Sequence, residues 1–249
     1  VLHDSLLKLV QDGTTQVLLT THSSRFVSRS MDDLTRLIRL RRDAGVTTSY
    51  QLTQSQLDQL FADALVADDS ILPHGTSAAD VDKAAMMASL KTELWMQSTR
   101  TTAFFSQRVI LVEGPSETAI YSYLTTRGLM DPPVRGLAVI DCMGKYNIHR
   151  FVAILSAFGI DHSVLYDGDN GGAHDTEVTQ AINDAKSAFT KRITRFANDL
   201  ETELGITPLP RNESSRKPQY ALYNLESGLV GQASIDALKQ EFVDLATAS

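Results

Sequence analysis

Three short apolar runs, each set against a helical stripe, dominate the middle of this chain. Val109–Val112 precedes a stretch with Ala119, Ile120, Tyr123 and Leu124 on one helical face. Gly136–Asp141 precedes Ile148, Phe151, Val152 and Leu155, and Ser163–Tyr166 closes the series. A continuous apolar run suits a strand buried on both faces, and strands that alternate with amphipathic helices need a crossover each time. The β-α-β-α-β order therefore predicts an α/β fold with a parallel sheet and right-handed crossovers. Gly128 and Gly159 stand where the two helices should stop.

Acidic motifs end two of these runs. Val109-Ile-Leu-Val is followed by Glu113-Gly-Pro-Ser-Glu117, and Ser163-Val-Leu-Tyr by Asp167-Gly-Asp169. Strand C-termini form the ligand-binding edge of an open α/β sheet. Gly114 allows a sharp turn, Pro115 suits a first helical position, and Glu117 falls in the first helical turn, where the helix dipole favours its charge. Asp167 and Asp169 alternate around Gly168, so both are able to face one site. Carboxylates gathered in this way repel one another unless a cation neutralises them. Hard oxygen ligands suit magnesium or manganese.

The flanks carry weaker signals. Gln16–Thr21 is expected as a short apolar strand leading to His22. Arg36–Arg42 and Val46–Gln51 around Asp43-Ala-Gly45 predict a hairpin. Residues 55–107 read as helical, with Leu57, Leu60, Phe61 and Leu65 in a first run and Ala84 to Phe104 in a second. They carry no evident chemistry and are expected to pack or dimerise. Val178, Ile182, Ala185, Phe189, Ile193, Phe196 and Leu200 step by three or four, which predicts one long helix. Lys186, Lys191, Arg192 and Arg195 would then form a basic strip along it. Two shorter helices are expected to open at Pro218 and Ser234.

Composition sets limits. With one cysteine, Cys142, the 249 residues form no internal disulfide and no multi-cysteine zinc site. That suits a cytoplasmic location, the expectation adopted. No run is long enough to span a membrane. The net charge of −7 is unusual for a nucleic-acid binder, but a metal-dependent nuclease needs a local acidic cluster whose cation inverts the local sign. The chain does not begin with Met, and its opening residues (Leu2, Leu6, Leu7, Val10) have a helical pattern, so it reads as part of a longer protein.

The pairing of Val109-Ile-Leu-Val-Glu-Gly-Pro-Ser-Glu117 with Val164-Leu-Tyr-Asp-Gly-Asp169 resembles the Toprim fold. Together with Met143-Gly-Lys-Tyr-Asn-Ile148 it is similar to the overcoming-lysogenisation-defect (OLD) nucleases. OLD proteins join an N-terminal ABC-type ATPase to a C-terminal Toprim nuclease, and Gln16-Val-Leu-Leu-Thr-Thr-His-Ser23 is similar to the end of such an ATPase core. The resemblance implies a Toprim-type parallel sheet flanked by helices, with an additional helical domain. It divides the chain into an ATPase remnant (1–52), a helical domain (53–107), a Toprim catalytic domain (108–210) and C-terminal helices packed on it (211–249). It further implies two Mg2+ or Mn2+ ions and a DNA substrate. No phosphate-binding loop occurs in the sequence, so ATP belongs only to a full-length parent with its own ATPase domain, where His22 would sense nucleotide. A homodimer, no membrane association and a role in phage defence are also expected. Topoisomerases and primases often carry a third Asp two residues after the second. Here that position is Gly171, and no catalytic-tyrosine context is evident.

Phosphodiester hydrolysis needs an activated water, charge stabilisation on the phosphate, and help for the leaving oxygen. Two divalent ions about 3.5–4 Å apart supply all three. The carboxylates Glu113, Glu117, Asp167 and Asp169 are a lean set for two ions; the resemblance points to Glu201, ahead of Asp199, as a further ligand. Glu113 and Lys217 are the candidate catalytic residues, Lys217 through the Lys-Pro that OLD-like sequences carry at a similar place. Lys145 is the rival cation. With Gly144 and Asn147 it offers donors to a phosphate. His162 and His174 are expected near the acidic residues without being required ligands. The leading expectation is a metal-dependent DNA endonuclease. A primase-like or RNA-processing Toprim enzyme, and a non-catalytic DNA-binding or dimerisation module, stand beside it.

Overall fold

The structure, a computed structural model, describes residues 2–10, 13–27, 32–60, 62, 99–169, 171 and 175–249. Most of the second helical run predicted before Phe104, and His174, lie outside the described residues. An N-terminal helix α1 (Leu2–Val10) precedes the hairpin β1 (Arg39–Asp43) and β2 (Val46–Tyr50). The parallel core follows as β3 (Arg108–Val112), α2 (Pro115–Thr126), β4 (Leu137–Asp141), α3 (Ile148–Ala157), β5 (His162–Asp167), α4 (Asp175–Asp184) and β6 (Thr190–Phe196). A short α5 (Leu200–Glu203), then α6 (Lys217–Glu226) and α7 (Gln232–Thr247), complete the chain.

The four-stranded sheet has the order β4-β3-β5-β6, with every pairing parallel. Chain connections leave β3 toward one edge of this sheet and β5 toward the other. That makes the C-terminal ends of β3 and β5 a switch point, the crevice where ligands bind in such sheets. Residue parity sorts the core into two layers. Val109, Leu111, Val164 and Tyr166 pack with Val152, Phe158, Val178 and Ile182 of α3, α4 and their loops. Ile110, Val112 and Leu165 pack on the other face with Ile120, Leu124, Leu225, Phe242 and Leu245 from α2, α6 and α7. β5 is buried along its whole length, which is why it reads as an unbroken apolar run.

The hairpin appears where it was expected. Ala44 (φ 46°) and Gly45 (φ 85°) form a two-residue turn between Asp43 and Val46, and both need positive φ. Arg39 and Arg41 face inward, while Leu40 is exposed. The Arg39 guanidinium is satisfied by backbone carbonyls: Nε donates to Phe104 O (3.1 Å), Nη1 to Phe158 O (3.0 Å) and Gly159 O (2.9 Å), and Nη2 to Ser106 O (3.3 Å). Arg41 donates to Gly159 O and to Asp161 Oδ2. Gly159 has φ +63°, and an added Cβ would lie 2.3 Å from the Tyr50 ring. The hairpin is thus fastened to the loop that starts β5. Leu34, Leu52 and Leu57 join the same core as the sheet.

Two expectations are corrected. Residues 15–23 form no strand, and Val17, Leu18 and Leu19 are exposed. A strand requires a partner for its ladder, and among the described residues none pairs with this segment. The long helix over 178–200 is instead α4, the edge strand β6 and α5. Val178, Ile182 and Ala185 do form a helical stripe, but Phe189, Ile193 and Phe196 continue its spacing by coincidence. Pairing of β6 with β5 overrides it. The basic strip dissolves accordingly: Lys191 reaches Asp161 (3.6 Å), Arg192 reaches Glu241 (3.3 Å), and Arg195 pairs with Asp175.

Replacing Arg39 by Met removes the guanidinium shared by four carbonyls and leaves Gly159 O with Arg41 alone. Arg39→Met is expected to lower stability by about 2–4 kcal/mol. The check is urea unfolding, where the midpoint should fall at an unchanged slope.

Candidate metal centre

The switch point assembles the acidic residues. Glu113 directly follows β3, and its Oε2 accepts the Asp167 backbone N–H at 3.2 Å, linking the ends of β3 and β5. Glu117, at the third position of α2, accepts the Gly114 N–H at 3.2 Å and is 4% exposed. Asp167 ends β5, and its Oδ1 is buried without a hydrogen-bond partner. Glu201, 3% exposed, arrives on α5 and is 3.2 Å from the Lys217 ammonium. Asp169 (φ 46°) is half-exposed and paired with Lys145, which is itself buried.

Gly168 permits this convergence. An added Cβ would sit 2.5 Å from the Phe196 carbonyl oxygen and 2.6 Å from Arg195 Cζ. The N–H groups of Gly168 (3.0 Å) and Asp169 (2.9 Å) both donate to the Asn198 carbonyl. The Asp-Gly-Asp loop is therefore docked against the end of β6, and the next residues bring Glu201 alongside.

The electrostatics follow from burying like charges together. Asp167 is pushed up to about 8, first by burial and then by the Glu113 charge, with Glu201 adding to the effect. Glu117 is pushed up to about 8 by burial, then by the charges of Asp167 and Glu113. Burial also raises Glu113, against the Asp167 N–H and the Lys145 charge. The two lysines are raised as well, which for them holds the charged form. Burial opposes charge on Lys217, but Glu201 and Asp167 outweigh it and raise its pKa. Burial likewise opposes charge on Lys145, where Asp169 and Glu113 prevail.

An all-oxygen donor set with a surplus of buried negative charge, and with an orphaned Asp167 Oδ1, fits a hard divalent cation. As the side chains stand, no three acidic, imidazole or thiol groups among the described residues converge on one point that could hold an ion. Glu113 accepts the Asp167 N–H and Glu117 the Gly114 N–H; Glu201 faces Lys217, and Asp169 faces Lys145.

Other expected residues fall as follows. The Gly144 N–H donates to Glu113 O (2.7 Å), and Asn147 Nδ2 donates to Cys142 O (3.1 Å) and Met143 O (2.9 Å). Both sets of donors shape the turn after β4 rather than pointing outward. Asp199 caps α5 through Thr202 N (2.8 Å), and its charge is among those that help to hold Lys217 ionised. His22 is exposed in the irregular segment after residue 15. His162 is not near the acidic residues. It opens β5 at the opposite edge of the sheet, fully buried between Ile160 O and Thr190 Oγ1, and burial holds it down at about 4. Sequence reasoning missed Arg100, whose Nη2 grips both Asp141 oxygens (3.0 and 2.8 Å), while Asp141 Oδ1 accepts the Met143 N–H. That pair steadies Met143 (φ 57°) in the turn bearing Lys145. The two residues lie 41 apart, and no local pattern marks them as partners.

Comparison with known proteins bears on the domain that carries β3 to β5. A family model described as overcoming lysogenization defect protein-like, TOPRIM domain, matches residues 104–169. That span includes Glu113, Glu117, Lys145, Asp167 and Asp169, but neither Glu201 nor Lys217. The OLD nuclease of Thermus scotoductus is 25% identical over 164 residues, covering 66% of this chain and 26% of that protein. The chain thus spans about a quarter of that relative's length. Among the described residues no helix is long and apolar enough to cross a membrane.

Two predictions follow from the packing and the charges. Gly168→Ala is expected to destabilise the fold by about 1–3 kcal/mol through the clash with the Phe196 carbonyl, read from chemical denaturation. Without metal, the raised carboxylates bind more protons folded than unfolded, so stability falls as pH rises from the ordinary carboxylate range to about 8. His162, lowered from 6.5 to about 4, has the opposite slope, but only below 6.5. Between pH 6.5 and about 8 the carboxylates act alone, and the melting temperature in EDTA should fall across that window, with added Mg2+ or Mn2+ restoring it at the upper end.

Proposed function

We propose that the OLD-family Toprim region in this chain is a metal-dependent DNA endonuclease centre, the nuclease part of a larger ATPase–nuclease. The observation that carries the reading is the gathering of Glu113, Glu117 and Glu201 around Asp167, with Lys217 and Lys145 on its flanks. Glu113, Glu117, Asp167, Asp169 and Glu201 would hold two Mg2+ or Mn2+ ions. When bound, such ions neutralise the phosphate and favour ionisation of an attacking water.

The chain's own residues supply the rest. Lys217 sits at the start of α6, half-buried and kept charged by Glu201 and Asp167, so its ammonium is placed to meet negative charge growing on a phosphate oxygen. Glu113 bridges the two strand ends, orienting Asp167 through its N–H. In the turn after β4, the Gly144 N–H and the Asn147 amide are engaged internally, which leaves Lys145 as that turn's charge for a DNA phosphate. A parent ATPase domain, with His22 sensing its nucleotide, and a second copy of the chain complete the proposed assembly.

The test is supercoiled plasmid incubated with Mg2+, Mn2+ or EDTA. Metal-dependent nicking is expected. Lys217→Met should lower the rate on the order of 10²–10³-fold. Asp167→Asn should abolish cleavage while leaving the metal-free melting temperature unchanged or raised, because it removes a like charge from a crowded site. Normal cleavage by Asp167→Asn would refute the assignment, and nucleotide-dependent product growth would favour the primase-like alternative.

A further inference from the structure

The acidic residues are met by two different kinds of internal donor. Glu113 and Glu117 accept backbone N–H groups, which leave their remaining lone pairs for other ligands. Asp169 instead faces a full positive charge. Lys145 is 4% exposed, and the carboxylate it meets is Asp169. It also lies close enough to Glu113 for that charge to help hold it ionised.

Backbone geometry holds the two partners of this pair in place. Lys145 follows Met143 (φ 57°) and Gly144 (φ 105°), in a turn held by the Gly144 N–H to Glu113 O and by Arg100 through Asp141. Asp169 has φ 46° and is held by its N–H to Asn198 O. Non-glycine residues in the left-handed region are strained, and they persist where surrounding contacts over-determine them. Here one lies in each of the two loops that bring the ammonium and the carboxylate together. The orphaned Oδ1 of Asp167, on a residue 8% exposed, marks the unfilled acceptor on the other arm of the centre.

We infer that Lys145 is a resident counter-ion that occupies the Asp169 arm of the centre, so that a divalent ion takes that arm only when Asp169 swings off the lysine, whose ammonium is then left for the substrate phosphate. This rests on the metal-centre reading above. Asp169, half-exposed, is the partner free to rotate, whereas the buried lysine stem stays put. Filling of the second ion position is then linked to the arrival of DNA: a phosphate that takes the ammonium frees Asp169, and an ion that takes Asp169 frees the ammonium. The linkage is reciprocal, as any coupling between two binding events must be.

The experiment is Mn2+ titration of the intact chain by calorimetry, without DNA, comparing the parent with Lys145→Gln and Asp169→Asn. One stronger and one weaker Mn2+ event are expected for the parent. Lys145→Gln should tighten the weaker event on the order of tenfold, and Asp169→Asn should remove it. Plasmid cleavage by Lys145→Gln should nonetheless slow, with the loss appearing chiefly in KM for DNA. Weaker event unchanged or loosened in Lys145→Gln would overturn the inference while leaving the metal centre standing. No Mn2+ binding by either the parent or Lys145→Gln would overturn both. Melting temperatures of all three proteins in EDTA establish that each is folded; Lys145→Gln strands only a carboxylate that already meets solvent.

Discussion

Mutual repulsion among carboxylates at the ends of β3 and β5 is the constraint around which this structure is arranged. Asp167 is the focus. It is buried, ends the central strand, and feels Glu113, Glu117 and Glu201 at once. A fold that needed only stability would not place these groups together, because each apolar substitute would be better tolerated there. The protein holds them by giving Glu113, Glu117 and Glu201 internal donors and by raising the proton affinity of Glu113, Glu117 and Asp167. The two lysines enter from different parts of the chain, Lys145 from the turn after β4 onto Asp169 and Lys217 from the start of α6 onto Glu201. The hydrophobic layers on both faces of the sheet then fix the strand ends in space.

The parallel core was legible because its central strands are buried on both faces. Such strands write continuous apolar runs, and the helices between them carry stripes of ordinary amphipathic spacing. The acidic motifs were legible for the same reason: each follows a run directly, so its place at the sheet edge comes from the strand that precedes it. β6 was not legible. It is an edge strand whose charged side chains find partners in Asp161, Glu241 and Asp175, none of which is local in sequence. Its apolar residues happen to extend the stripe of α4, and only the pairing with β5 decides between helix and strand. Residues 16–21 erred in the other direction: an apolar run looked like a strand, but a strand is defined by its neighbours.

The centre divides in a similar way. Glu113, Glu117, Asp167 and Asp169 came from local pattern, whereas Glu201 and Lys217 came from resemblance and are brought together by α5 and α6. The misplacement of His162 has a simple cause. It lies five residues before Asp167 in sequence, but in an extended strand that spans roughly 16 Å, which puts the imidazole at the opposite edge of the sheet. The inward arginines of the hairpin were also hidden. Period-two patterning usually sends charge to solvent, and here it sends Arg39 and Arg41 to backbone carbonyls that only the fold reveals.

The Asn198 carbonyl takes both the Gly168 and the Asp169 N–H, and so sets where the acidic loop lies against the end of β6. That anchor is main chain. Many side chains are compatible with it at position 198, because the oxygen that matters belongs to every residue type. A gained or lost residue between β6 and α5 is a different event, since it would slide another peptide into register and carry Glu201 away from Asp167. What this corner of the molecule conserves is therefore spacing rather than identity, and its signature among relatives would be an ungapped interval whose letters vary.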